Sequence, residues 1–331
     1  MSEPPTPAST APDYSAHTLI FHQNLPGAAP ALCSMSAHAD ATPTCRPQSG
    51  TFAGPRKPDA NAFVVIEVID DAEGHRERLS LWSMNEPELV PITLWTGAVR
   101  NPTWTPDGTA LLATSDADGP SDLWTIPVPA GEPTPLSPHP FGTFEPDVHP
   151  DGSKVVFASS RDGNAELYEL ALTPTAEPVR LTDDPADDMA PKWSADGSTL
   201  AFRSNRGERM QVWTQQRGHA AKPIAPTLMG SHADAVWAPN SPHLAIVWGP
   251  SPDRSQIAIV HGQTGAIEHR IGTDALAVQQ PAWSPDGKRL AFTCQRPQER
   301  PAVCVSRADG SDLQVIAKSD RLERWLPRWL D

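Results

Sequence analysis

The chain has 331 residues and a formal net charge of −14, with 20% charged and 38% hydrophobic residues. Nucleic-acid-binding proteins usually present a basic patch to the phosphate backbone, so the acidic balance argues against that class of partner. No run of 18 apolar residues is present, so no transmembrane segment is predicted. The proportions are those of an ordinary soluble globular protein.

Residues 1–60 predict a Pro-rich N-terminal tail that is partly disordered, because its opening Pro/Ser/Thr tract cannot bury enough apolar surface to fold. Thr18–Phe21 is a candidate short strand, and Ala31–Cys45 is expected to be a loop. The tract lacks a charged region followed by an apolar one, so it is no signal peptide. Similar tracts follow the lipid-bearing cysteine of exported lipoproteins. We therefore expect a leader replaced by Met1, a lipid anchor in the native precursor, and a periplasmic or outer-membrane-associated location.

Four cysteines form two pairs that are close in sequence, Cys33 with Cys45 and Cys294 with Cys304. Such pairs are typical of disulfide bonds in an oxidising compartment. Free buried thiols are the alternative. Cys294 and Cys304 are expected to flank a hairpin loop, within reach of each other across two strands.

Three strands are predicted next, at Phe63–Ile69, Arg78–Trp82 and Leu89–Trp95, because these runs are rich in β-branched and aromatic residues. No Pro-x-Trp motif precedes them in the sequence. A repeated unit then begins, and its clearest copy is Pro281-Ala-Trp-Ser-Pro-Asp-Gly287.

The repeat is marked by one residue per copy, called here the anchor residue: Trp104, Val148, Trp193, Trp237, Trp283 and Trp329. The steps between them are 44, 45, 44, 46 and 46 residues. Strand-like units of this period indicate a propeller. The three front strands and the lone Pro-x-Trp strand at the end together make one further sheet of four. The sequence therefore predicts an all-β, six-bladed propeller over residues 61–331, with four-stranded blades and a ring closed by the C-terminal strand pairing with those N-terminal strands.

Residues 148–183 carry a fuller pattern: His149-Pro-Asp-Gly152, Ser160-Arg-Asp-Gly-Asn164, Leu167-Tyr168 and Arg180-Leu-Thr-Asp183. This pattern resembles the TolB-type (WD40-like, PD40) propeller repeat, over roughly residues 61–331. The resemblance implies the fold. Propellers of this kind occur in periplasmic TolB, in prolyl oligopeptidase-like enzymes and in oligogalacturonate lyases. The segment before the propeller is shorter than the α/β domain of TolB and has no helical periodicity, so the likeness is to the propeller alone.

The mouth of the central channel is the expected site, since the innermost strands begin there. Alignment on the anchor residues places these candidate rim residues at the mouth: Arg100, Asn101, Glu145, Asp187, Asp188, His232, Asp234, Gln280 and Arg324. The oxygen-rich group Asp187, Asp188 and Asp234, with His232, is a candidate site for Ca²⁺. No other cofactor is expected. A polar channel that binds nothing, and a solvated acidic loop, are the alternatives.

The sequence has no Gly-x-Ser-x-Gly elbow, phosphate-binding glycine loop or His-Glu-x-x-His motif, so no catalytic residues are assigned. The leading expectation is a monomeric, non-enzymatic propeller of the cell envelope that binds a protein or peptide at the channel mouth. Two alternatives remain open. One is a metal-dependent carbohydrate lyase or hydrolase at the channel rim, and the other is a regulatory propeller related to those of prolyl oligopeptidase-like enzymes.

Overall fold

The computed structural model describes residues 18–24, 30–37, 41–47, 50–56, 58, 62–71, 74–83, 88–95, 97–117, 119–136, 139–207, 209–318 and 327–329. Within these ranges, 28 strands form seven four-stranded antiparallel sheets, and Pro252–Arg254 is a short 3-10 helix. No helix in the described ranges has the length and apolar character needed to cross a membrane.

The seven sheets are blades around a central channel, numbered here in chain order. Blade 1 contains β1 (Thr18–Asn24), β2 (Pro30–Ser36), β3 (Thr44–Pro47) and β28 (Arg328–Trp329), and blade 2 contains β4 (Gly50–Arg56), β5 (Ala62–Asp71), β6 (Gly74–Ser83) and β7 (Val90–Trp95). Blade 3 contains β8 (Val99–Trp104), β9 (Ala110–Ser115), β10 (Asp122–Pro127) and β11 (Thr134–Pro135), and blade 4 contains β12 (Thr143–Val148), β13 (Lys154–Ser159), β14 (Glu166–Ala171) and β15 (Val179–Arg180).

The last three blades follow the same plan. Blade 5 contains β16 (Asp188–Trp193), β17 (Thr199–Ser204), β18 (Gln211–Gln216) and β19 (Lys222–Pro223), and blade 6 contains β20 (Ser231–Trp237), β21 (His243–Gly249), β22 (Gln256–His261) and β23 (Ile267–Ile271). Blade 7 contains β24 (Ala277–Trp283), β25 (Arg289–Gln295), β26 (Ala302–Arg307) and β27 (Gln314–Lys318).

The predicted number of six blades is wrong, because the structure has seven. The last strand, β28, pairs with β1, with Leu19 opposite Trp329 and Ile20 opposite Arg328. It does not pair with residues 63–69. Those residues lie in β5, and blade 2 is complete without the C-terminal strand. The segment 31–45, expected to be a loop, contributes β2 and part of β3.

The missed inner strand is β4, and its register shows why it escaped notice. Arg56 lies opposite Phe63 on the next strand, as Trp283 lies opposite Leu290 in blade 7. In both blades the paired residues are seven positions apart, so Arg56 occupies the anchor position. Pro58-Asp59 keeps the turn residues of the repeat, but Ala60 replaces its glycine. With the tryptophan and glycine both absent, only the Pro-Asp pair could have signalled this strand.

The Pro-Asp-Gly turn joins the innermost strand to the second strand and explains part of the repeat. Gly287 has φ 69°, a conformation that glycine adopts without strain. The Asp286 carboxylate accepts hydrogen bonds from the Ser284 hydroxyl (2.6 Å) and the Lys288 amide (3.0 Å). These bonds satisfy groups that the tight turn leaves unpaired.

Each recurring inner strand contains a β-bulge three residues before its anchor. In blade 5 the register shifts between Met189 and Lys192, so this strand has one more residue than its partner over that stretch. The residue at the bulge is left-handed in four blades, at Asn101, Glu145, Ala190 and Gln280. A proline follows each of them. The extra residue reverses which face of the blade the preceding side chains occupy.

The core lies between neighbouring blades. Phe157, Phe202 and Phe292 occupy the same position on the second strand of blades 4, 5 and 7, and each is at most 1% exposed. Three of the anchor tryptophans link successive blades. The indole Nε1 of Trp237, Trp283 and Trp329 donates to the backbone carbonyl before the preceding anchor, at 3.0, 2.9 and 2.9 Å respectively. Large flat rings with one donor suit this position.

Both predicted disulfides are confirmed. Cys33 and Cys45 are bonded across β2 and β3 of blade 1, and Cys294 and Cys304 are bonded across β25 and β26 of blade 7. One bonded blade, blade 1, contains the C-terminal strand β28, and the other, blade 7, accepts the hydrogen bond from Trp329 of that strand. The described part of β28 is only two residues long, and both sheets that it contacts are strengthened by a covalent link.

Candidate functional site: the central channel

A cavity of about 630 Å³ lies along the central channel. It is lined by the innermost strands of blades 3 to 7, by β28, and by Phe63 of blade 2. This volume falls in the range of pockets that hold small molecules or short peptide segments. The wall is mixed, with both apolar residues and side chains of either charge.

The residue just before each anchor faces this cavity. In the six blades with a recognised anchor, the residues at this position are Thr103, Asp147, Lys192, Val236, Ala282 and Arg328. Polar and charged side chains therefore follow one another around blades 3 to 5, while blades 6 and 7 present apolar ones. Arg328 brings a cation beside the apolar side.

Two of these charges neutralise each other. Lys192 Nζ lies 2.9 Å from Asp147 Oδ1, and the other oxygen of Asp147 accepts the Trp193 amide at 2.8 Å. The pair joins blade 4 to blade 5. The Asp147 carboxylate therefore has two donors, Lys192 and the Trp193 amide, and neither charge of the pair needs a ligand to balance it.

The bulge residues form the next layer toward the mouth. Asn101, Glu145 and Ala190 line the cavity. One carboxylate oxygen of Glu145 accepts the Ala190 amide at 2.7 Å, and the other lies 3.5 Å from Arg203 Nη2. The amide oxygen of Gln280 accepts the Thr293 hydroxyl at 2.8 Å. The structure thus places Asn101 and Glu145, named from sequence, on the channel wall.

The remaining rim candidates are scattered. Arg100 and Asp234 are exposed, and Arg324 lies outside the described residues. Asp187 is half-buried, and its Oδ1 accepts the Ala165 amide at 3.0 Å, within the loop that leads into blade 5.

Asp188 and His232 do not reach the channel, since they are 0% and 1% exposed. Both lie five residues before an anchor, on the far side of the bulge. Counting in steps of two would place them on the same face as Lys192 and Val236. The extra residue at each bulge reverses that order and turns them toward the blade interior.

The buried Asp188 carboxylate forms an ion pair with Arg206, which also lies 3.5 Å from Asp184. Burial raises the pKa of Asp188, and hydrogen bonds partly oppose this. The guanidinium of Arg206 stacks over Trp213 at 5.0 Å. The acidic run is therefore attached to the fold through an arginine rather than gathered around an open cavity.

His232 is held in its neutral form. Its Nδ1 accepts the Val212 amide at 3.0 Å. Burial is the main cause that lowers the pKa of His232 to about 4; the positive charge of Arg209 acts in the same direction, and a backbone hydrogen bond at Leu228 opposes it. In the described part of the chain, no three His, Cys, Asp or Glu side chains come together as a metal site would require. The structure thus does not bring the four Ca²⁺ candidates together.

Two large apolar side chains project near the channel mouth. Phe141 is 63% exposed and Met229 is 66% exposed, and each lies in a loop that leads into an innermost strand. Exposed apolar side chains beside a cavity are typical of binding surfaces.

Sequence reasoning missed Arg328 and Lys192. Both directly precede an anchor tryptophan, so the repeat itself contained the signal. The prediction placed the site at the first residues of the innermost strands and did not include the residues just before the anchors, which line the channel further in.

These features define a seven-bladed propeller with a polar and apolar channel that is large enough for a ligand. The family model of the TolB beta propeller domain (PD40) matches residues 136–327, more than half of the chain. The protein therefore belongs to the TolB beta propeller domain family.

Solved structures with the same fold have diverse activities. TolB from Acinetobacter baumannii is 18% identical with a TM-score of 0.60, and the alignment covers 94% of this chain and 82% of that one. An oligogalacturonate lyase in complex with manganese is 15% identical with a TM-score of 0.67 and coverage of 92% and 86%. A puromycin-hydrolysing peptidase from Mycobacterium tuberculosis is 14% identical with a TM-score of 0.61 and coverage of 97% and 56%. No curated protein sequence matches the chain. At these identities the likeness extends to the fold alone.

Proposed function

We propose that this protein is a non-enzymatic binding propeller, which holds a segment of a partner protein in its central channel. The observation that carries the proposal is the channel wall. It combines Trp, Phe, Pro and Val side chains with Asn101, Glu145 and Arg328 around a cavity of about 630 Å³. A polypeptide segment presents the same combination of apolar and charged groups.

The face around the mouth supports a protein as the partner. Phe141 and Met229 are exposed there, and apolar side chains of this size anchor protein interfaces when a partner covers them. The chain has a net charge of −14, and Asp183, which is 87% accessible on the same side, is paired with Arg180 at 2.9 Å. We infer a partner with a complementary apolar patch and some basic residues at its periphery.

The cell envelope is the proposed location. Two disulfides are typical of proteins in an oxidising compartment, and TolB proteins share the fold. We propose a monomer, because in a propeller each blade already contacts a neighbour on either side.

The test compares two substitutions in blade 3. Thr103→Trp puts a large ring into the channel, and Thr134→Trp puts the same ring on the exposed outermost strand as the control. Each purified protein is used to capture partners from an envelope extract of the source organism, with and without a chelator. We expect one protein to be enriched by the unmodified chain and by Thr134→Trp, and lost with Thr103→Trp, independently of the chelator.

The outcome against the proposal is equally concrete. Enrichment that Thr103→Trp leaves intact would place binding elsewhere.

The second candidate function rests on the likeness to the oligogalacturonate lyase structure. Formation of unsaturated uronate ends from polygalacturonate, abolished by the chelator and by Thr103→Trp, would establish that function instead.

A further inference from the structure

Arg328 belongs to the channel wall. It directly precedes the anchor residue Trp329, and the residues at this position in the other blades with recognised anchors also line the cavity. Arg328 lines the same cavity as Phe63, Trp283 and Trp329.

The charge of Arg328 has no close counter-charge in the described parts of the chain. Nη1 donates to the Pro327 carbonyl at 2.9 Å, and no carboxylate there lies within ion-pair distance. The side chain is half-buried. Burial lowers the pKa of Arg328, and the negative charge of Asp234 in blade 6 partly opposes that shift. Lys192, by contrast, is neutralised by Asp147.

An unpaired, partly desolvated guanidinium is unfavourable, because arginine stays charged and loses hydration without gaining an ion pair. The group carries five N–H donors in a planar fork that matches a carboxylate. The single hydrogen bond to Pro327 within the described residues leaves most of those five donors available to a ligand. The unfavourable arrangement is relieved if a ligand supplies the anion.

The surroundings restrict what else the ligand contains. Phe63, Trp283, Trp329, Pro281 and Val236 give the cavity a large apolar wall. A sugar acid has no apolar side chain to pack into this wall, and each of its several hydroxyl groups needs a hydrogen-bond partner. A peptide can place an apolar side chain there and a carboxylate at Arg328.

We propose that Arg328 binds a carboxylate of the peptide segment held in the channel, with an apolar side chain of the same peptide packed on the aromatic wall. The carboxylate comes from the C-terminus of the peptide or from an Asp or Glu side chain. The inference rests on the proposed function and specifies the chemistry of its ligand.

The experiment uses the full chain and two libraries of N-acetylated hexapeptides, one with free C-termini and one amidated. Peptides that remain bound are quantified by mass spectrometry. We expect free-acid peptides with an apolar residue near the end to be retained at least about tenfold over their amides, since hydrogen bonds to charged groups are worth that much. If the carboxylate is a side chain, Asp- and Glu-containing peptides are retained from both libraries.

Three variants test the residue. Arg328→Gln should abolish the preference for carboxylates, and Arg217→Gln, on an exposed turn after β18, should leave it unchanged. Asp234→Asn removes the nearby negative charge from an exposed position and should increase carboxylate retention several-fold. This last variant tests the inference even if Arg328→Gln folds poorly, because an exposed side chain is replaced by one of the same size.

The results separate this inference from the proposed function. Peptides bound by the unmodified chain without a preference for carboxylates would overturn the role of Arg328 and leave channel binding intact. A preference that survives Arg328→Gln would do the same. No retained peptide in either library would overturn both. Arg328-dependent binding of digalacturonate, with no peptide retained, would replace the peptide with a uronate.

Discussion

The indole Nε1 of Trp329 donates a hydrogen bond of 2.9 Å to the backbone carbonyl of Ala282. It joins the short C-terminal strand of blade 1 to the innermost strand of blade 7. The same bond joins Trp237 of blade 6 to the Lys192 carbonyl of blade 5, and Trp283 of blade 7 to the Val236 carbonyl of blade 6. In these three blades the repeated tryptophan is therefore both the filler between blades and a hydrogen-bond donor to the neighbouring blade, whereas Nε1 of the anchor Trp193 has no hydrogen-bond partner among the described residues.

Trp329→Phe keeps most of the ring and removes its N–H donor. We expect the free energy of unfolding to fall by about 1 kcal/mol, since the buried Ala282 carbonyl loses its partner. Urea denaturation measures the change. Trp213→Phe is the matched control, because the Trp213 indole nitrogen is buried without a hydrogen-bond partner. An equal loss in both variants would show that the Trp329 hydrogen bond contributes nothing.

The blade type was predicted from the repeat, and the disulfide pairs from cysteines that are close in sequence, because both depend on local residues at short, fixed spacing. The number of blades could not be predicted from the repeat, because the inner strand β4 has lost the motif and the strands β1 to β3 of blade 1 lack it. Arg56 stands where a tryptophan was sought, and β1 to β3 have no repeat motif at all. Local sequence indicated only part of β1, at Thr18–Phe21; the other two strands depend on pairing with their neighbours, which local sequence does not reveal.

The channel residues show the same limit. Asn101 and Glu145 were predicted at the channel mouth by alignment on the anchor residues, and they line the cavity because the bulge residue itself projects there. Asp188 and His232 were misplaced because the bulge inserts one residue and reverses the alternation of the strand. A bulge is a register effect between two strands, so one strand read alone gives no sign of it.

The two disulfides are expected to stabilise blades 1 and 7. The bonded cysteines are separated by 12 and 10 residues. Loops of that size correspond to about 2–3 kcal/mol each. Replacing either pair with serine should lower the free energy of unfolding by that amount, as measured by urea denaturation under non-reducing conditions. Thiol titration of the unfolded, unreduced protein should return no free thiol, and a count of four would contradict both bonds.

His232 should make stability depend on pH. Burial lowers the pKa of His232 to about 4 in the folded protein, while the unfolded value is near 6.5. The unfolded chain therefore binds the proton first, so stability is full above pH 6.5 and falls as the pH drops toward 4. The loss levels off below pH 4, at about 3 kcal/mol.

His232→Asn isolates this effect. The difference in unfolding free energy between the unmodified chain and the variant should shrink as the pH falls from 6.5 to 4. His219→Asn, at an exposed position, serves as the control. A difference that does not change with pH would contradict the assignment of a buried neutral imidazole.

Arg206→Gln should be strongly destabilising at neutral pH. It leaves the Asp188 carboxylate, which is 0% exposed, without its ion-pair partner. Breaking a buried pair from one side costs about 3–5 kcal/mol. The loss should be smaller at acidic pH, because burial raises the pKa of Asp188 and the protonated acid needs no cation. Thermal unfolding measures the loss in unfolding free energy, with Arg217→Gln as the control. A loss below about 1 kcal/mol at neutral pH would contradict the pairing of Arg206 with Asp188.

The central claim is that a partner segment enters the channel. The most direct test places the photo-reactive residue benzoylphenylalanine at position 103 on the channel wall, or at position 134 on the outer strand, and irradiates cells that express each protein. The account predicts a cross-link from position 103 to a single partner protein, mapped to one short segment, and none from position 134. Cross-links of equal yield from both positions, or from position 134 alone, would contradict it.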